Sequence, residues 1–140
     1  MMYLLDTDTL THLHAGNTNV INRLESLQDE EIAITIITKV EILRGRIDYL
    51  LKASSGQDLI KAQELFSRSE TLLNQLPVIS IDENAANYFE RLKNVSKFRK
   101  IGRADMLIAS ISLANKAILV TRNMKHFKQF PNLSVENWVD

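Results

Sequence analysis

The stretch Met2-Tyr3-Leu4-Leu5-Asp6-Thr7-Asp8-Thr9-Leu10 decides how this chain is read. A short apolar run without alternation ends at once in two carboxylates. Such a run fits a strand buried on both faces of a sheet. Apolar residues then recur at helical spacing, at Leu10 and Leu13, and Gly16 marks a stop. The order is strand, tight turn, helix, with Asp6 at the carboxyl end of the strand. In open α/β sheets that end is where ligands bind. Two acids there, beside a helix start, look like the beginning of a metal or phosphate site.

Working outward, a second short helix is expected from Asn19 to Leu27, with Val20, Ile21, Leu24 and Leu27 as its apolar stripe. Ile32 to Ile37 is rich in β-branched residues and reads as the second strand. Thr38 opens a third helix whose buried side is marked by Val40, Leu43, Ile47, Leu50 and Leu51. After the Ser54-Ser55-Gly56 loop, a long helix runs from Asp58 to Leu76. It carries the row Leu59, Ala62, Phe66, Leu73 and Leu76, with Leu65 and Leu72 beside it, and Pro77 ends it. Val78 to Ile81 is a third strand, and Asp82 caps a helix reaching Lys97. Gly102 breaks the chain before a helix that starts at Arg103. Ala117 to Thr121 is a fourth strand, Asn123 to Phe127 a short helix, and Ser134 to Trp138 a last edge strand. Strands alternating with helices argue for an α/β fold with a mostly parallel sheet covered on both faces. The long helix pair between strands two and three forms a protruding arm.

The 140 residues, 1–140, read as one domain. A chain of that size buries roughly 68–70% of its unfolded surface, enough for a real core. Cysteine is absent, which excludes disulfides and thiolate metal sites and agrees with a cytoplasmic location. A basic segment followed by a long apolar one is missing at the start, so no signal peptide is expected. No apolar run approaches the ~20 residues that span a bilayer, so no membrane partner is expected. The 17 basic and 17 acidic residues cancel, so the placement of charge matters more than its sum.

The acids follow the strand ends. Asp8 or Thr7 serves as an N-cap for the first helix, or Asp8 joins Asp6 in a site. Thr38-Lys39-Val40-Glu41 matches a capping box, yet Glu41 also lies in the first turn after strand two, where it can face Asp6. Asp105 is favoured by the dipole of its own helix, or is a partly buried site acid beside an apolar run. Asn123 is a good N-cap by type, and Thr121 an ordinary strand residue, unless both belong to the same site. Clustered carboxylates are tolerable only with a cation or shared protons. Oxygen donors without cysteine point to Mg²⁺ or Mn²⁺ rather than zinc.

Four segments carry a resemblance: Leu4 to Asp8, Glu41 to Gly45, Ile101 to Ala109 and Leu119 to Asn123. They resemble, in order, the four motifs of PIN-domain ribonucleases, and more narrowly the VapC-type toxins of bacterial toxin–antitoxin modules. The stretch from Leu119 to Trp138 is similar to the branch that cleaves initiator tRNA. The resemblance implies a PIN-like three-layer α/β/α domain with a central sheet of about five strands. It implies that Asp6, Glu41 and Asp105 are metal-binding catalytic acids for Mg²⁺, with Mn²⁺ able to substitute. Asp8 stands where the family more often has Asn, and Asn123 matches a polar position near the site. His126 stands where relatives often place a fourth acid, and it reads as a surface His, or as one that lines or ligates the site. Also implied are a homodimer, a small antitoxin that blocks the acids, RNA cleavage with tRNA as the expected substrate, and products with 5′-phosphate and 3′-hydroxyl ends.

Six basic residues and no acid lie between Arg91 and Arg103. Arg99, Lys100 and Arg103 from that run, with Arg122 and Lys125 from the other flank, are the expected RNA phosphate contacts. Such contacts give affinity without sequence choice. Two other readings compete. A PIN scaffold without a fourth acid could bind RNA or a protein without cutting. The loop Asp6 to Leu10 also resembles the nucleophile loop of haloacid-dehalogenase-like phosphotransferases. Asp105 lacks the adjacent acidic partner that family needs, and no Gly follows Asp8.

Overall fold

Strand β1 (Met2–Leu5) forms from the opening apolar run and is buried through Tyr3, Leu4 and Leu5. A computed structural model describes all residues, Met1–Asp140. Helices α1 (Thr7–His14) and α2 (Thr18–Ser26) follow, and Gly16 between them takes a φ of 86°, the left-handed conformation that suits glycine. Then come β2 (Glu31–Thr35), α3 (Ile36–Lys52), α4 (Gly56–Asn74), β3 (Val78–Ile79), α5 (Glu83–Lys93), a 3₁₀ turn at Ser96–Phe98, α6 (Arg103–Ala114), β4 (Ile118–Val120), α7 (Met124–Phe127) and β5 (Ser134–Glu136).

The five strands lie in the order β3-β2-β1-β4-β5, and every neighbouring pair is parallel. The chain winds from β1 out to β3, then returns to place β4 on the other side of β1. The winding reverses between β1 and β4, and a crevice opens there at the carboxyl ends of the strands. Alternate residues of each strand enter opposite layers. Leu4, Ala33 and Leu119 pack with α5, α6 and α7, whereas Leu5, Ile34 and Val120 pack with α1 to α4 and with Trp138 and Val139 of the tail. Three layers result, as expected. Leu119 is fully buried in β4, between β1 and β5. Leu119→Ala should cost about 2–5 kcal/mol, read as a lower urea midpoint with an unchanged m-value.

Several sequence expectations are corrected. Ile36 and Ile37 leave the strand and begin α3, because the Thr35 hydroxyl accepts from Thr38 N (3.2 Å) and starts the helix earlier. The buried side of α3 is Thr38 and Ile42, while Val40, Ile47 and Leu51 are exposed. Val40, Ile47 and Leu51 do recur at helical spacing, but the stripe they form faces outward, so periodicity marked an apolar face without saying what covers it. Of the α4 row only Ala62 and Leu73 are fully buried, Ser69 outside the row is buried beside them, and Leu59 is exposed. Helix α5 stops at Lys93 rather than Lys97, and its end lies at Asn94. Its start is as expected, with Asp82 Oδ1 accepting from Ala85 N at 2.8 Å.

Candidate active site

Asp6 leaves β1 at the crevice, where its backbone N–H continues the sheet to Val120 O (3.0 Å). Its carboxylate caps α1, with Oδ1 accepting from Thr9 N at 2.8 Å. The cap is therefore Asp6 and neither Asp8 nor Thr7. Asp6 is 8% exposed. Burial pushes its carboxyl above its ordinary pKa, hydrogen bonds from Thr121 and Thr9 oppose that shift, and the Asp8 charge adds to it.

Glu41 comes from the second turn of α3 and makes no capping box, since Thr38 lies inside the helix. Its Oε1 accepts instead from Thr7 Oγ1 at 2.6 Å, and Thr38 Oγ1 lies 3.2 Å from the same hydroxyl. Asp105 sits in the first turn of α6, whose cap Gly102 offers no side chain. His126 Nδ1 is 3.1 Å from Asp105 Oδ2 and 3.0 Å from the Asn123 amide. The surface reading of His126 is thus corrected: its ring is half-buried and tied to a site acid. The Thr121 hydroxyl is buried behind Asp6 and accepts from Asn123 N at 3.0 Å. Thr121 is therefore more than an ordinary strand residue.

One cleft of about 200 Å³ gathers Asp6, Asp8, Glu41, Asp105 and Asn123, with Thr7 and Phe127 among its walls. Four elements that are far apart in sequence so deliver four carboxylates and an amide to one place. His126 does not line that cleft. It faces the neighbouring hollow with Asn123, Lys125 and Gln129. The donor set is all oxygen, which suits a hard divalent cation. No three His, Asp or Glu side chains are gathered tightly enough to grip an ion. Each expected ligand is tied to a neighbour instead: Asp6 to Thr9, Glu41 to Thr7, Asp105 to His126.

The cationic flank is uneven. Arg122 is joined to Asp140 by two hydrogen bonds, of 3.2 and 3.1 Å, and so is not a free cation. Lys100 is exposed, and Arg99 and Arg103 line a separate groove beside α6. Thr7 and Thr9 were missed as site residues. The alternation of acid and hydroxyl in Asp6-Thr7-Asp8-Thr9 was the available signal.

Comparison with known proteins agrees with this geometry. The PIN domain family model matches residues 3–133. The chain is 32% identical to Ribonuclease VapC2 of Rickettsia felis, over 99% of this chain and 98% of that protein. It is 21% identical to the tRNA(fMet)-specific endonuclease VapC of Salmonella typhimurium, over 99% and 98%. Among solved structures it is similar to VapBC2 from Rickettsia felis bound to a DNA fragment from their promoter, with a TM-score of 0.81 and 30% identity over 99% of both chains. The chain belongs to the PIN-domain family, within its VapC-type branch. The haloacid-dehalogenase-like reading is thereby set aside. No helix is long and apolar enough to cross a membrane.

Proposed function

We propose that this chain is a Mg²⁺-dependent endoribonuclease toxin of a type II toxin–antitoxin pair, with tRNA as its substrate class and Mn²⁺ able to replace Mg²⁺. The observation that carries this reading is the delivery of Asp6, Asp8, Glu41 and Asp105 to a single cleft at the switch point of the sheet. Asp6, Glu41 and Asp105 would hold the ion. An ion held by these residues would supply Lewis-acid polarisation of a phosphoryl oxygen and a water of lowered pKa.

The chain's own residues do the rest. Thr9 N–H and the Thr121 hydroxyl fix the Asp6 carboxylate at the strand end. Thr7 orients Glu41 and His126 orients Asp105. Such supporting hydrogen bonds typically carry 10–100-fold in affinity or activity. Asp8 stands exposed at the mouth, its carboxylate 3.6 Å from His12 Nδ1, and serves in this reading as the base that takes a proton from the attacking water. Glu41 is the alternative base. In-line attack of that water leaves 5′-phosphate and 3′-hydroxyl ends. Thr7→Val keeps the volume and removes the donor to Glu41, so turnover should fall roughly 10–100-fold with an unchanged circular dichroism spectrum.

The partner reading rests on relatives and on one surface. The solved VapBC2 structure named above supports an antitoxin partner. The α3–α4 hairpin exposes Val40, Ile47, Leu51, Leu59 and Ile60, and exposed apolar surface marks protein contacts when it is contiguous. A homodimer through this face predicts that Leu51→Asp with Ile60→Asp halves the mass seen by light scattering. An unchanged dimer mass would move the dimer contact elsewhere.

The scaffold reading keeps one supporting observation, that no three acids are gathered around an ion position. Expression in bacteria separates the two. The wild-type chain should arrest growth and Asp6→Asn should relieve the arrest. Equal effects of both versions would favour the scaffold.

A further inference from the structure

Beside the carboxylate cleft, on the other side of the α6 start, lies a second hollow of about 210 Å³. Its floor is apolar and aromatic, built from Phe89 of α5, Phe98 of the 3₁₀ turn and Met106 of α6, and its rim is Lys93, Arg99 and Arg103. The Arg103 guanidinium lies over the Phe89 ring at 5.5 Å from its centroid. Lys93 stands 5.9 Å from the same ring and also pairs with Glu90 at 2.9 Å. Neither Arg99 nor Arg103 has a carboxylate within ion-pair distance. Arg103, Asp105 and Met106 share the first turn of α6, so the hollow begins within one helical turn, about 5.4 Å of rise, of a cleft acid.

We propose that this hollow holds an unstacked base of single-stranded RNA, from a nucleotide adjoining the bond that is cut. The inference rests on the ribonuclease reading and adds a base subsite to it. A phosphate needs only the cationic rim. An aromatic floor with a planar guanidinium 5.5 Å from one ring centroid offers a base both an aromatic face and a planar cation. Arg99 and Arg103 then hold the phosphates on either side, since neither has an acid of its own to satisfy. Single-stranded loops and ends are the parts of a folded RNA whose bases can be splayed into such a pocket.

The test measures binding of a fluorescein-labelled ten-residue oligouridine by anisotropy in EDTA, where cleavage is off. Inorganic polyphosphate, as a polyanion without bases, competes in a parallel arm. Phe89→Leu keeps apolar volume and removes the ring. Arg103→Lys keeps charge and removes the plane at an exposed position. Both should weaken oligouridine binding about tenfold and leave polyphosphate binding within twofold. Melting curves of each variant confirm the fold, and Arg103→Lys carries the test alone if Phe89→Leu does not fold. If both ligands weaken together, or neither does, the hollow is a charge site only and the base subsite is wrong, while the ribonuclease reading stands. If the wild-type chain binds no RNA at all, both readings fail.

Discussion

Asp6→Asn is expected to lower RNA cleavage about 10³-fold and at the same time to raise the melting temperature of the chain in EDTA. The two effects have one cause. Asp6 is buried, and its neighbours do not fully offset the loss of water around its charge. An amide keeps the acceptor for Thr9 N–H, so the cap of α1 survives, and it needs no ion or proton. Each kcal/mol gained this way is worth roughly 3–5 °C for a chain of this length. The loss of activity is larger. An ion's electrostatic contribution to phosphoryl chemistry is several kcal/mol, and at 1.36 kcal/mol per decade its loss lowers the rate about 10³-fold. Cleavage rates and melting curves on the same preparation check both halves. A variant that is inactive and less stable would mean that Asp6 is mainly structural.

Saturating Mg²⁺ or Mn²⁺ should raise the melting temperature of the wild-type chain, and the rise should depend on pH. At a hundredfold excess over Kd the gain is about 2.7 kcal/mol, or roughly 8–14 °C. The sign follows from Asp6. Its pKa in the folded chain is raised, so the folded state holds a proton that the unfolded chain releases. That proton's contribution is complete below the ordinary carboxylate pKa and is lost as pH rises through the raised value. A cation takes the proton's place, so its stabilisation grows over the same window and fades as the solution is acidified. Scanning calorimetry at pH 5 and pH 8, with and without the ion, reads the difference. Asp105→Asn should shrink the shift at both pH values. A melting point that does not move with either ion would remove the clustered acids as an ion site.

How much of this was legible in the chain depends on which forces act locally. The opening strand was readable because Tyr3-Leu4-Leu5 is buried on both faces and its residue types say so without a partner. The convergence of Asp6, Glu41 and Asp105 on one cleft was readable because each lies at a strand end or in the first two turns of a helix, and parallel topology brings those ends together. The caps were not. Asp8, Thr7 and Thr38 are all good caps by type, but Asp6 and Thr35 win because the strands they end are held in the sheet. Ile36 and Ile37 have strand propensity, and the helix packing overrides it. The pairing of His126 with Asp105 links residues 21 positions apart through space, and nothing in local pattern announces it. The exposed row on α3 is a related case, since an apolar stripe at helical spacing does not say whether the domain's own core covers it.

The most direct measurement is a denaturing gel of purified, antitoxin-free chain incubated with bulk tRNA. It is run with Mg²⁺, with Mn²⁺ and with EDTA, beside Asp6→Asn and Asp105→Asn. Discrete fragments with 5′-phosphate ends that form with either ion, vanish in EDTA and are absent in both variants are the predicted result. Fragments that persist in EDTA or in the two variants would contradict the assignment of the carboxylate cleft as the place where RNA is cut.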